Sequence, residues 1–241
     1  MQPHTTGTAA TKGRLADPHT SSSSRERVVG VLAVSLFASL VVQNAVVIAA
    51  GAPSYAAPMT EVLAFHAQHR PAVAVAVGLE ALNLPLLLGF LTGLHGLVKH
   101  RERGGADWSR LAMLAGATLA TALASYAVLW VGTTLAADGL TQSSPAFELA
   151  WRMHAAAFAL SLPALGTVFI GASLAAHSGG VTPRWTRWLG LTGGSLLIAA
   201  GAGTLAIADG SAILFLGMPG FFAWFAWLLV AGVRLVRAGS R

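Results

Sequence analysis

The sequence predicts an all-α protein, a polytopic transmembrane bundle of six helices, and three observations lead to it. Of 241 residues, 55% are hydrophobic and only 10% are charged, whereas soluble globular chains carry about 25% charged residues. Mean hydropathy is correspondingly high, at +0.66. The apolar residues also gather into long stretches: crossing a hydrocarbon core about 30 Å thick takes about 20 of them at a helical rise of about 1.5 Å each. Finally, the charged residues fall almost entirely between those stretches. The formal charge of +6, from 15 basic and 9 acidic side chains, is scattered along the chain rather than gathered into a face or tail, so no nucleic-acid partner is expected. Zero cysteines exclude disulfides, thiolate metal sites and cysteine nucleophiles.

Residues 1–24 are rich in Thr, Ser, Gly and Pro, end in four serines, and cannot bury a core. They are expected to form a disordered cytoplasmic tail. A cleaved signal is the alternative, since Ala49, Ala50, Gly51 and Ala52 follow the first apolar run. That run, however, exceeds the roughly 7 to 15 residues of a signal's apolar region. Six spans follow, at 28–50, 72–98, 111–135, 153–176, 189–207 and 212–233, within a transmembrane domain of 25–238. Residues 239–241 form the C-terminal end. A short turn at Ala208, Asp209, Gly210 and Ser211 makes the last two spans a tight hairpin.

Basic residues near helix ends are retained in the cytoplasm. With the N-terminus inside, thirteen of the 15 lie in cytoplasmic segments, and only Arg70 and Arg152 lie outside. The expected topology is therefore N-in and C-in, in a plasma membrane.

Helices running in the same direction share sequence elements. The second span carries Ala81-Leu82-Asn83-Leu84-Pro85 with Gly93 eight residues after the proline, and the fourth carries Ala159-Leu160-Ser161-Leu162-Pro163 with Gly171 at the same distance. Trp108-Ser109-Arg110 and Trp185-Thr186-Arg187 then open the third and fifth spans. Arg27 opens the first in like manner, and Met218-Pro219 begins the sixth. Three in-out-in hairpins related by an axis along the membrane normal would explain this pattern; convergent membrane composition is the alternative. Internal prolines and the glycines Gly190, Gly193, Gly194, Gly201 and Gly203 are expected to serve packing.

Glu80 is the one ionisable carboxylate inside a span, and such residues are costly enough to mark a functional site. It lies roughly 12 Å from the outer end of its helix at about 1.5 Å per residue. Asn83 is three residues on, on the same face. Gln43 and Asn44 of the first span fall at a similar depth, as do Ser125, Tyr126 and Ser161 of the third and fourth. This polar layer in the outer half is expected either to line a ligand pocket built on Glu80, Asn83, Gln43, Asn44, Tyr126 and Ser161, or to close on itself as an interhelical hydrogen-bond network.

The histidines fall at span ends. His66, His69 and His154, beside Glu61 and Glu148, are weak metal candidates; solvated interfacial histidines are the expected reading. Haem between helices would use His95 with His177, or His66 or His69 with His154, and is a further alternative. The motifs call for no cofactor. Trp108, Trp151, Trp185 and Trp188 suit an interfacial belt, and Phe221, Phe222, Trp224, Phe225 and Trp227 a lipid-facing and packing stripe. There is no Gly-rich phosphate loop, nucleophile elbow or pair of catalytic carboxylates, so an enzyme is not the expected class.

The pattern Pro183-x-Trp185-x-Arg187-Trp188-Leu189-Gly190, the aromatic last span ending Gly232-Val-Arg-Leu-Val-Arg237, and 13 arginines against two lysines resemble six-helix integral membrane proteins of bacteria, of actinobacterial type and unknown function. That resemblance implies a bacterial inner membrane and supplies no catalytic residue. The expected function is a non-enzymatic bundle that binds or passes a small molecule or ion near Glu80. An accessory subunit built for assembly with a membrane partner or a second copy is the alternative, and a histidine-ligated metal or haem protein is the third reading.

Overall fold

The computed structural model describes residues 18–101 and 104–240. Among them there is no strand. The helices are α1 (Pro18–Ala49), α2 (Met59–Gln68), α3 (Arg70–His100), α4 (Ala106–Ala136), α5 (Pro145–Ser178), α6 (Arg184–Gly201), α7 (Thr204–Ala208) and α8 (Met218–Ala238), with a 3-10 turn at Ala212–Leu216 before α8. Five segments among the described residues are long and apolar enough to cross a membrane: Ser23–Ala49, Arg70–His100, Ala106–Ala136, Pro145–Ser178 and Ala212–Ala238. They are compatible with a multi-pass membrane protein.

Beyond shifts of up to eight residues at other helix ends, the largest at the start of α5, three features differ from the sequence reading. Helix α1 begins at Pro18, so residues 18–24 of the expected tail are helical; residues 1–17 lie outside the described residues. The loop after α1 contains α2, a short helix that apolar length alone does not reveal. The expected fifth span, 189–207, is broken. Helix α6 ends at Gly201, Ala202 and Gly203 interrupt it, and α7 follows as a separate turn. Two glycines flanking one alanine weaken the helix there, and α6 itself has only 18 residues with Arg184 and Arg187 in its first turn.

Each helix packs on its chain neighbour, α1 on α3, α3 on α4, α4 on α5, α5 on α6 and α6 on α8, and α8 returns to α1. Helices α1, α3, α4, α5, α6 and α8 therefore close a ring. Glycines set the tightest approaches. A Cβ on Gly166 of α5 would lie 2.5 Å from the Gly194 carbonyl of α6, and one on Gly30 of α1 would lie 2.8 Å from the Gly232 carbonyl of α8. Small residues bring backbones together where lipid offers no hydrophobic drive between helices.

Local signals fix the helix ends. Ser144 caps α5, its hydroxyl accepting from the Phe147 N–H at 3.2 Å, with Pro145 next and Glu148 in the first turn. Between α3 and α4, Gly105 adopts φ +90°, and a side chain there would also strike Ser178. Pro85 and Pro163 lie inside α3 and α5, and Gly201 leaves room for the Pro163 ring. Large apolar side chains face outward, among them Leu114 at 71% and Val128 at 70% exposure, as a lipid-facing surface requires.

One end of the ring is tied by ions. Arg101 pairs with Glu26 and donates to the Gly179 carbonyl, joining α1 and α3 to the end of α5, while Arg25 donates to His100. At the other end, Arg70 pairs with Asp138 and Arg152 with Asp209.

Candidate functional site

A cavity of about 150 Å³ lies inside the ring toward the end that carries Arg70 and Arg152, lined from α1, α3, α4, α5 and α8. Gln43, Asn44, Glu80, Asn83, Tyr126 and Ser161 all line it. A fixed helical rise brings these residues to one depth; the helical turn then decides which face inward. Ser125, one residue from Tyr126 and so turned by about 100°, faces outward and bonds the Thr121 carbonyl of its own helix.

The polar groups on the wall are buried: Glu80 is 4% exposed, Asn83 3% and Gln43 7%. Their hydrogen bonds can be ordered from a fixed point. The Ala76 carbonyl can only accept, so the Gln43 group 3.1 Å from it is the amide nitrogen. The same nitrogen donates to Glu80 Oε2 at 2.7 Å. Gln43 Oε1 then points the other way and accepts from Asn83 Nδ2 at 2.9 Å. That orientation turns Asn83 Oδ1 away from Gln43. Both Asn83 Oδ1 and Glu80 Oε1 are buried without a hydrogen-bond partner. The layer is thus half closed: Gln43 ties α1 to α3, and one acceptor on each of two cavity-lining residues, Glu80 and Asn83, remains unmatched, although burying a polar group without a partner is costly.

Asn44 and Ser161 are less committed to the layer. Asn44 donates to the Leu40 carbonyl and Ser161 to that of Phe158, each within its own helix. The remaining wall is apolar and aromatic, including Leu87, Leu123, Trp130, Phe158 and Trp224. Sequence reasoning missed Trp130 and Phe158 as lining residues. Their spacing was the available signal, since Trp130 is one turn from Tyr126 and Phe158 one turn from His154.

The histidines depart from expectation. His66 lies on α2, not in a loop, and is fully buried; His154 is 2% exposed. Neither is solvated. The chain between α1 and α3 carries Tyr55, Phe65 and His66 onto the bundle, where His154 stacks between Tyr126 and Trp151, with ring centroids 4.1 and 5.2 Å away. Trp151 also contacts His66 edge-on at 5.5 Å, so it is a core residue of this cluster and not part of an interfacial belt. His69 stacks on Phe65. At the opposite end, His95 meets the Ser109 hydroxyl at 2.8 Å. Among the described residues no group of three His, Asp or Glu side chains converges as a metal site. Trp108, Trp185 and Trp188 are exposed, while Trp224 and Trp227 sit in the core and Phe222 faces out.

Outside the spans, burial raises the Tyr55 phenol well above its ordinary value, and burial lowers His66, against the opposing bond from its Nδ1 to the Val62 carbonyl.

Comparison of the chain with protein-family models, with curated proteins and with solved structures gave no match.

Proposed function

We propose that the protein is a six-helix inner-membrane bundle that binds or passes a small cationic molecule at Glu80. The observation that carries this reading is the pair of unmatched acceptors, Glu80 Oε1 and Asn83 Oδ1, beside the cavity. Two acceptors call for a donor with at least two protons. An ammonium group supplies them together with the charge that a buried carboxylate requires. Tyr126, Trp130 and Trp224 add aromatic faces, which attract cations, and the leucines suit an apolar body.

The topology belongs to the same proposal: six crossings, with both termini cytoplasmic. The two arginines assigned to the outside each meet an aspartate, which leaves the unbalanced basic charge at the other end. Three repeated hairpins, α1 with α3, α4 with α5 and α6 with α8, would close the observed ring in chain order. The repeat gains support from packing. Gly93, eight residues after Pro85, packs on Val29, two after Arg27; Gly171, eight after Pro163, packs on Ala112, two after Arg110.

The test is binding of benzylammonium to purified protein, with benzyl alcohol as the uncharged counterpart. Glu80→Gln is expected to weaken benzylammonium at least about tenfold, the loss of one strong charge-assisted bond, and to leave benzyl alcohol unchanged. Equal benzylammonium affinity in both proteins overturns the reading. A second reading, an accessory subunit in which Glu80 only fastens α1 to α3, draws on the Gln43 bridge and predicts no benzylammonium binding at all.

A further inference from the structure

A second cavity, of about 280 Å³, lies outward of the first and shares Val47, Tyr126, Trp130 and Phe158 with it. Its distinctive lining residues are Tyr55, His66, Trp151 and His154, and no Asp, Glu, Lys or Arg side chain lines it. The lack of charge separates its chemistry from that of the Glu80 cavity.

Two buried polar atoms in this lining have no partner, His66 Nε2 and Trp151 Nε1; their residues are 0% and 5% exposed. What each can do is fixed. His66 Nδ1 is 2.8 Å from the Val62 carbonyl, which can only accept, so the proton sits on Nδ1 and Nε2 presents a lone pair. The indole nitrogen of Trp151 can only donate. The two rings meet edge to face with centroids 5.5 Å apart, so neighbouring rings carry an unmatched acceptor and an unmatched donor. An ammonium group could serve His66 but would oppose the indole N–H, and a carboxylate could serve Trp151 but would oppose the lone pair. A hydroxyl group matches both, since it can donate to the lone pair and accept from the indole. Around these two atoms the wall is aromatic, with Tyr55, Phe65 and Phe158 beside the stacked His154 and Tyr126.

We infer that the outer cavity is a binding site for a neutral, planar, apolar molecule bearing a hydroxyl group, which donates to His66 Nε2 and accepts from Trp151 Nε1. This site adjoins the cation site at Glu80 through four shared wall residues, but its two hydrogen-bonding atoms are its own.

The experiment is equilibrium dialysis of 2-naphthol and of its methyl ether, 2-methoxynaphthalene, against the full-length protein in lipid nanodiscs, with empty nanodiscs as reference. The ether keeps the ring and the acceptor but cannot donate. Saturable 2-naphthol binding above the empty discs is expected, about tenfold tighter than the ether, because the ether leaves the histidine unpaired. Trp151→Phe, which keeps an aromatic ring but removes the donor, is expected to weaken 2-naphthol by about tenfold and its ether as well, because both oxygens accept from the indole. Binding no greater than to empty discs overturns the inference and leaves the two atoms to bound water. So does equal affinity for the phenol and the ether, a comparison made on the unmutated protein and therefore independent of whether the variant folds.

Discussion

Replacing Gln43 with leucine removes three hydrogen bonds at once, those from its nitrogen to the Ala76 carbonyl and Glu80 Oε2 and that from Asn83 Nδ2 to its oxygen. The loss is not confined to Gln43. Glu80, already without a partner at Oε1, then loses the Gln43 bond at Oε2, and the Asn83 amide loses its Gln43 acceptor. Interhelical side-chain bonds in membrane proteins are worth about 0.6 kcal/mol on average, and a buried polar group stripped of its partner costs about 1–3 kcal/mol. Three bonds at that value come to about 2 kcal/mol and the two stripped groups add at least about 2 more, an expected destabilisation of about 4 kcal/mol or more. Asn44→Leu is the matched control. Its amide bonds only the Leu40 carbonyl of its own helix, so the same change there should cost under about 0.5 kcal/mol by the same reasoning. Reversible unfolding in bicelles, read as the shift in denaturant midpoint, measures both. A Gln43→Leu protein as stable as Asn44→Leu would refute the ordering of the polar layer derived from the Ala76 carbonyl.

Three further outcomes follow from the packing and the histidine cluster. Gly166→Ala puts a methyl 2.5 Å from the Gly194 carbonyl and should cost about 2 kcal/mol or more, as overpacking does. Gly132→Ala meets nothing within 4 Å and should be neutral or stabilising by up to about 1 kcal/mol; the two thermal midpoints should move in opposite directions or differ clearly. Burial holds His66 below its ordinary pKa, so the unfolded chain takes up its proton first as pH falls. The stability this group contributes is fully present above about pH 6.5 and is lost as pH falls toward the lowered folded value, by at most about 1.4 kcal/mol per pH unit. The unfolding midpoint should therefore fall between pH 7 and pH 5, and His66→Phe should flatten that slope; an unchanged slope contradicts the burial of a neutral His66. Arg101→Ala, which severs both Glu26 and the Gly179 carbonyl, should lower the midpoint more than Arg110→Ala, whose partner Asp107 is almost fully exposed.

Much of the arrangement was legible because the helical rise is fixed. Counting along each apolar run set Gln43, Glu80, Asn83, Tyr126 and Ser161 at one depth, and the ring then turned these residues toward a common cavity. Rotation about the helix axis was harder to read. Ser125 and Tyr126 share a depth but point about 100° apart, and α4 has too little amphipathic contrast to tell them apart. The histidine cluster was not legible, because it depends on the chain between α1 and α3 folding back over the bundle. A ten-residue helix such as α2 leaves no membrane-length signal, and nothing local in Met59–Gln68 says that His66 will meet Trp151. The break at Ala202–Gly203 lay hidden in an unbroken apolar run, where hydropathy outweighs the weak helix propensity of paired glycines.

A structure of the protein soaked with 4-bromobenzylammonium shows whether Glu80 Oε1 and Asn83 Oδ1 take a donor from a ligand. An anomalous bromine peak is expected inside the cavity, with the ammonium nitrogen about 2.7–3.1 Å from both oxygens. Density for water or a lipid chain at that position, with the bromine elsewhere or absent at saturating concentration, would contradict it.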